Sequence, residues 1–314
     1  KHCLIQDERS NEVLSRVLAW MRENHISAYD ETTGKGLVRH VVVRVGKATG
    51  QIMAGLVING TKIPAKEALI DALKTMEGMT SICLNMNREN TNVILGETTQ
   101  VLWGERAITD KIGVISYRIS LPSFYQVNPT QTVKLYQTAL DYAGLTGNEI
   151  VWDLYCGIGT ISLFLAQKAK QVYGVEIVPE AVEDAKENAK LNGFTNADFF
   201  VGAAEEVVPQ KFQESGSSMR ADVIVVDPPR KGCEEALLET IVRMEPERIV
   251  YVSCDPATLA RDLKYLGERG YQTRKVQPCD MFSQGVHVET VCLLSQRKPD
   301  DTVDVEISGE LLKM

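Results

Sequence analysis

No stretch of the 314 residues approaches the roughly 18 to 20 uninterrupted apolar residues that cross a bilayer, so no membrane partner is expected. Aromatic residues are scarce, at 6%, beside 24% charged and 44% hydrophobic residues, a globular balance that excludes disordered and collagenous chains. An excess of positive charge is also missing. The net charge of -8 argues against indiscriminate binding to nucleic acid through phosphate neutralisation alone. Residues 1–120 nonetheless carry 15 Lys and Arg against 13 Asp and Glu, which leaves room for a local basic face in that part. The seven cysteines, at 3, 83, 156, 233, 254, 279 and 292, include no CxxC pair and are odd in number. Neither a disulfide framework nor a metal site is expected, and the reducing cytoplasm is the expected compartment. The chain opens on Lys1 rather than Met, with a charged Asp7-Glu8-Arg9 close behind, which is neither a secretion signal nor an evident natural start. An upstream segment is expected.

Hydrophobic periodicity divides what is present into two parts. Val13, Leu14, Val17, Leu18 and Met21 share one face of a helix over residues 9–25. Strands follow at 41–45 and 52–58, a helix at 64–76, and strands at 81–86, 100–108 and 114–119, the pattern of a small α+β unit. From residue 129 strands and helices alternate. Strands fall at 150–154, 172–176, 197–201, 222–227, 248–253, 273–278 and 287–294, with helices at 130–142, 160–168 and 181–191 and helical patterns between most later strands. This predicts an α/β fold, an open and mostly parallel Rossmann-like sheet with an antiparallel edge. The expected boundaries are 1–120 for the smaller N-terminal unit, 121–297 for the sheet domain and 298–314 for an acidic, solvated tail.

Asp153-Leu154-Tyr155-Cys156-Gly157-Ile158-Gly159-Thr160 follows a strand and opens a helix, so Gly157 and Gly159 let the backbone approach a ligand. Glu176 ends the next strand, where a carboxylate can accept hydrogen bonds from both ribose hydroxyls of a nucleoside. The third glycine of a dinucleotide site is replaced by Ser162, which favours S-adenosylmethionine over NAD. Asp227-Pro228-Pro229-Arg230 stiffens a further strand end at the ligand-binding edge. Ser253-Cys254-Asp255-Pro256 places a cysteine at another, before a helix whose N-terminus would stabilise a thiolate.

With Phe124-Tyr125-Gln126-Val127-Asn128-Pro129 and His287-Val288-Glu289-Thr290-Val291, these five motifs resemble, in order, the RNA uracil-5-methyltransferase family, which makes 5-methyluridine in transfer and ribosomal RNA. The resemblance covers residues 124–291. It implies a class I methyltransferase fold preceded by an RNA-binding domain, with S-adenosylmethionine held by Gln126, Tyr155, Gly157, Gly159, Glu176 and Asp227. It further implies Cys254 as nucleophile and Glu289 as base. Two parts found in other members are missing from this sequence: an N-terminal oligonucleotide-binding barrel, and the four-cysteine pattern of an iron-sulfur cluster, of which Cys3 could at most be the last ligand.

The chemistry requires these residue types. Uracil C5 becomes nucleophilic when a thiolate adds to C6, and a base must later remove the C5 proton so that the thiolate can leave. Desolvation on an apolar strand would raise the pKa of Glu289 towards the range useful for that step. His287, two residues away, is expected to share its strand face in a supporting role. The substrate uracil has to be unstacked, so Phe124 and Phe282 are candidate stacking groups, with Arg39, Arg44, Lys47, Arg118, Arg230 and Arg261 as candidate RNA contacts. The substantial domain before the core resembles the ribosomal branch of the family, which implies 23S ribosomal RNA as the partner. Transfer RNA is the alternative substrate, a cytosine or amine methyltransferase the rival chemistry, and an RNA-binding or folding module independent of turnover the rival class.

Overall fold

The computed structural model describes residues 6–215, 219–283, 285 and 287–296. Cys3 and the 298–314 tail lie outside the described residues. The chain forms two compact units, Lys1–Ser123 and Phe124–Met314.

In the first unit, helix α1 (Glu8–Glu23) is capped by Asp7 and followed by β1 (Val38–Val45), β2 (Ile52–Ile58), α2 (Lys66–Lys74), β3 (Met79–Met86) and β4 (Thr98–Gly104). The four strands form a sheet in chain order. Strands β2 and β3 run parallel through the α2 crossover and the other pairs are antiparallel. Val13, Val17 and Trp20 of α1 and Leu69 and Leu73 of α2 are buried with Ile52, Leu56, Ile58, Ile82 and Leu84 of the sheet. Each such side chain contributes about 1.5 to 3 kcal/mol through its removal from water. Strands β5 (Ala107–Ile112) and β6 (Ile115–Ser120) form a separate hairpin. The single strand expected over residues 100–108 is therefore two, because Gly104 at φ +77° turns the chain against the Thr80 carbonyl.

The second unit begins with α3 (Pro129–Ala143) and continues β7 (Ile150–Asp153), α4 (Thr160–Ala166), β8 (Gln171–Glu176), α5 (Pro179–Leu191), β9 (Ala197–Val201) and α6 (Ala204–Ser215). It ends with β10 (Val223–Val226), α7 (Glu235–Met244), β11 (Arg248–Ser253), α8 (Pro256–Glu268), β12 (Tyr271–Cys279) and β13 (Glu289–Gln296). The seven strands lie in the order β12-β13-β11-β10-β7-β8-β9. One face buries Trp152, Ile224, Tyr251 and Leu294 against α6, α7 and α8. Helices α3, α4 and α5 pack on the sheet as well.

Strands β7 to β11 are parallel, so their carboxyl ends share one edge. The reversed strand is β13. It does not lie at the outside of the sheet but between β11 and β12, antiparallel to both, so its first residue starts where the others finish.

Helix α3 is locked to this edge by Asn128. Its side-chain oxygen accepts from the Gln131 N–H at 3.3 Å as the helix cap, while its amide donates to the Met281 carbonyl at 3.0 Å in the β12–β13 connection. Asn128→Ala removes both bonds and is expected to lower the unfolding free energy by about 1 to 2 kcal/mol. Urea denaturation, read as a shift of midpoint at constant slope, checks this.

Candidate active site

Strands β7, β8, β10 and β11 each bring a polar group to or just past their carboxyl ends on the shared edge. From β7, Asp153 is fully buried; its Oδ2 accepts from the Ser162 hydroxyl at 2.6 Å, while Oδ1 has no hydrogen-bond partner of proper geometry. Between Asp153 and α4 the chain turns on Gly157 and Gly159, at φ +53° and +81°, conformations closed to most side chains. A Cβ built on Gly157 would meet nothing within 4 Å, so this turn borders open space. Glu176, ending β8, accepts from the Gly157 N–H at 3.1 Å and from the Val178 N–H at 3.0 Å. The turn and the carboxylate are thereby fixed to one another, and the remaining lone pairs of Glu176 are available to a ligand. Directly after it, Ile177 is 67% exposed. This apolar surface beside a nucleoside-type acid escaped the sequence reading; its signal is two branched apolar residues, Ile177 and Val178, placed after a strand-ending Glu rather than within the strand.

Gln126 is buried ahead of α3. Tyr155 is half-buried and packs against the apolar cluster that includes Cys233 and Leu237, beside the glycine turn that its backbone enters.

At the other end of the edge, Ser253 pairs with Thr290 as the last pair of the β11–β13 ladder, with Cys254 just past the end of β11 and Glu289 at the start of β13. The turn carrying Cys254 is tightly held. The Ser253 hydroxyl donates to the Asp255 carbonyl at 2.9 Å and accepts from the Asp255 N–H at 3.1 Å, and Asp255 caps α8 through the N–H groups of Ala257 and Thr258. Proline at the first helical position completes the stop between strand and helix.

Three carboxyls are crowded here. Burial pushes Asp153 up to about 6. Burial, with Glu289 and Asp153 nearby, pushes Asp227 up to about 7. Burial also raises the Glu289 carboxyl, opposed by the positive charge of Arg230. The expectation of a stabilised thiolate at Cys254 is corrected: burial and the negative charges of Glu289 and Asp227 push the thiol up, and only Arg230 and a backbone hydrogen bond act in the other direction. His287 precedes β13, so it shares no strand face with Glu289.

The RNA-contact candidates separate by their partners. Arg44 is withdrawn from that role: its guanidinium donates to the Leu121 carbonyl at 2.8 Å and to the Ser123 carbonyl, and burial lowers it to about 10. Arg39 donates to the Asn87 and Glu89 carbonyls at 3.1 and 2.6 Å and stacks 4.5 Å from the Tyr29 ring centre, which makes it a clamp for the loop after β3. Arg261 is engaged with Asp262 and with the Lys231 and Cys233 carbonyls. Lys47 is exposed, 3.9 Å from Asp7, and Arg118 is half-buried on β6. Arg230 and Phe282 are exposed, and Phe124 is 70% exposed. No group of metal-binding side chains occurs among the described residues, and no helix among them is long and apolar enough to cross a membrane.

The strand order, the reversed strand β13 and the glycine turn after the central strand define a class I methyltransferase fold. The profile of the tRNA (uracil-5-)-methyltransferase family matches residues 89–297, and the chain belongs to this family of RNA uracil-5-methyltransferases. It is 56% identical over 293 residues to an uncharacterized RNA methyltransferase of Halalkalibacterium halodurans, covering 93% of this chain and 63% of that protein. A Clostridium tetani RNA methyltransferase, also uncharacterized, is 54% identical, with coverages of 94% and 64%. The chain thus spans less than two thirds of the length of these relatives. Among solved structures, the Pyrococcus abyssi tRNA (uracil-54, C5)-methyltransferase in complex with S-adenosyl-L-homocysteine superposes with a TM-score of 0.74 at 30% identity, covering 91% of this chain and 67% of that one.

Crowding of the acids has a measurable consequence. An acid whose folded pKa is raised from 3.8 to about 7 binds its proton more tightly in the folded state, so its contribution lowers stability as pH rises through that window. Asp227→Asn is therefore expected to match the wild type near pH 4 and to exceed it by about 1 to 3 kcal/mol near pH 8. Denaturation curves of both proteins across that range test the sign.

Proposed function

We propose that this protein methylates uracil C5 in RNA using S-adenosylmethionine, with Cys254 as nucleophile and Glu289 as base. The observation that supports the reading is the pairing of Ser253 with Thr290 at the end of the β11–β13 ladder, next to which stand a thiol and a carboxyl, both of raised pKa, with the carboxyl's charge acting on the thiol.

The chain's residues fit the cofactor. Asp153 Oδ1 is a buried acceptor without a partner, the Gly157 turn borders open space, and Glu176 has lone pairs to offer a ribose. Gln126 and Asp227 complete the set of residues that would hold it. When bound, the cofactor supplies an electrophilic methyl group and a positive charge suited to this acidic edge.

Cys254, once deprotonated, forms a bond to C6 of the uracil, and the C5–C6 π electrons move to C5 as an enolate. C5 takes the methyl group. Glu289 then accepts the C5 proton, the electrons of the C–H bond restore the C5–C6 double bond, and the sulfur leaves C6 as thiolate. A raised Glu289 pKa suits this proton transfer near neutrality. Arg230, the cation whose charge opposes the rise in pKa of both groups, steadies the thiolate at the start and the end. Phe124 and Phe282, exposed in this unit, are suited to stacking on the unpaired base, while Lys47 and Arg118 belong to an RNA-facing first unit.

For the substrate we favour 23S ribosomal RNA, on the resemblance of the part ahead of the core, residues 1–123, to the ribosomal branch of the family. Transfer RNA is the second reading, favoured by the likeness to the Pyrococcus abyssi tRNA enzyme. The odd number of cysteines without a CxxC pair supports a cytoplasmic setting.

Tritium release from C5-labelled ribosomal and transfer RNA tests both layers. Cys254→Ala is expected to reduce cofactor-dependent release by about 1,000-fold or more, because it removes the only group activating C5. Glu289→Gln is expected to leave addition and methylation intact but block elimination, so protein and RNA stay joined on a denaturing gel. Full activity of Cys254→Ala would refute the mechanism. Release from transfer RNA alone would replace the ribosomal substrate.

A further inference from the structure

The loop after Pro228-Pro229 and the helix after Cys254 are distant in sequence, yet one buried side chain joins them. Asp262 lies on α8 and has no solvent exposure. Its Oδ2 accepts from the Cys233 N–H at 2.8 Å and from the Tyr251 hydroxyl at 2.6 Å. Its Oδ1 accepts from Arg261 Nε at 2.8 Å. The far end of the Arg261 guanidinium reaches back over the same loop and donates to the carbonyls of Lys231 and Cys233 at 3.0 and 3.1 Å. A third member of the helix, Thr258, donates its hydroxyl to the Arg230 carbonyl itself at 3.0 Å. The loop carrying Arg230 is therefore held along its length by α8, which begins two residues after Cys254, while Tyr251 ties the same carboxylate to β11, which ends at Ser253 just before Cys254.

We propose that Asp262 is a positioning residue: through Cys233, Tyr251 and Arg261 it fixes the Arg230 loop to the helix and strand that present Cys254, and so sets where the Arg230 guanidinium stands relative to Cys254 and Glu289. The proposal rests on the reading of Cys254 as nucleophile and goes beyond it, since Asp262 touches neither substrate nor cofactor. Three donors converge on the buried Asp262, two on Oδ2 and one on Oδ1, so both of its oxygens act as acceptors. An asparagine turns a donor towards at least one of these groups, so the loop has to move. Because Arg230 is the charge opposing Glu289 and Asp227 around the thiol, a displaced Arg230 leaves Cys254 harder to ionise.

The test uses the whole chain without cofactor or RNA, so that it does not depend on turnover. The rate of iodoacetamide alkylation of Cys254, followed by the mass of its peptide, is measured against pH, with the melting temperature taken alongside. Asp262→Asn and Arg230→Ala are each expected to move the alkylation midpoint upward by about half a pH unit, a roughly threefold loss of thiolate at pH 7. The double variant is expected to move no further than Arg230→Ala alone. Arg261→Lys, which keeps the charge but loses the fork to the two carbonyls, is expected to shift in the same direction and serves if Asp262→Asn does not fold. A lowered melting temperature with an unmoved midpoint, or additive shifts in the double variant, overturns the proposal. Failure of the nucleophile assignment would show separately, as methylation that survives Cys254→Ala.

Discussion

Side chains alternate across a strand, so the pairing of β13 with β11 decides whether Glu289 faces the same side as Cys254. Ser253 opposite Thr290 is the last pair of that ladder, next to Cys254 and Glu289, and a slip of one residue would turn the carboxyl to the other face. Everything else at this edge depends on that pairing. The reversed direction of β13 puts its first residue, rather than its last, beside the ends of the parallel strands. Its place between β11 and β12 gives that residue a strand on either side, with Cys279 as its opposite neighbour on β12. A carboxyl on an outermost strand would be free to turn into water; on β13 it is half-buried and its pKa rises.

The price of this arrangement is electrostatic. Asp153, Asp227 and Glu289 raise one another or are raised by burial, and Arg230 is the cation that acts against them at the thiol. Such an edge is better suited to a cationic ligand than to standing alone, and the crowding itself favours binding a positively charged cofactor over a neutral one. The hydrogen bonds of Ser253, Asp255 and Asn128 keep the turns in place despite that repulsion.

Much of this was legible in the sequence because the informative features were local. The alternation of strands and helices from residue 129 onward predicts the sheet, and the glycine turn, Glu176, Asp227 and Cys254 each sit at a strand end that hydrophobic periodicity locates. What periodicity could not show was which strands become neighbours: β13 inserts between β11 and β12, a fact of pairing rather than pattern. Charge misled in a different way. Arg39, Arg44 and Arg261 read as surface cations, yet each donates to backbone carbonyls within its own unit, partners that carry no mark in a sequence. The thiol of Cys254 was misjudged because helix position is visible in sequence whereas the two carboxyls facing it are brought there only by folding.

The place of β13 also bears on how the molecule is made. Among the strands of this sheet it is the last in chain order, and it fits between two that precede it. Until it arrives, β11 lacks its outer neighbour and presents an unpaired edge, the kind of surface that recruits unwanted strands. Strands β7 to β11 carry the glycine turn and the cysteine turn, whereas Glu289 comes only with β13. Closure of the sheet around β13 and the arrival of Glu289 at this edge are therefore the same structural event.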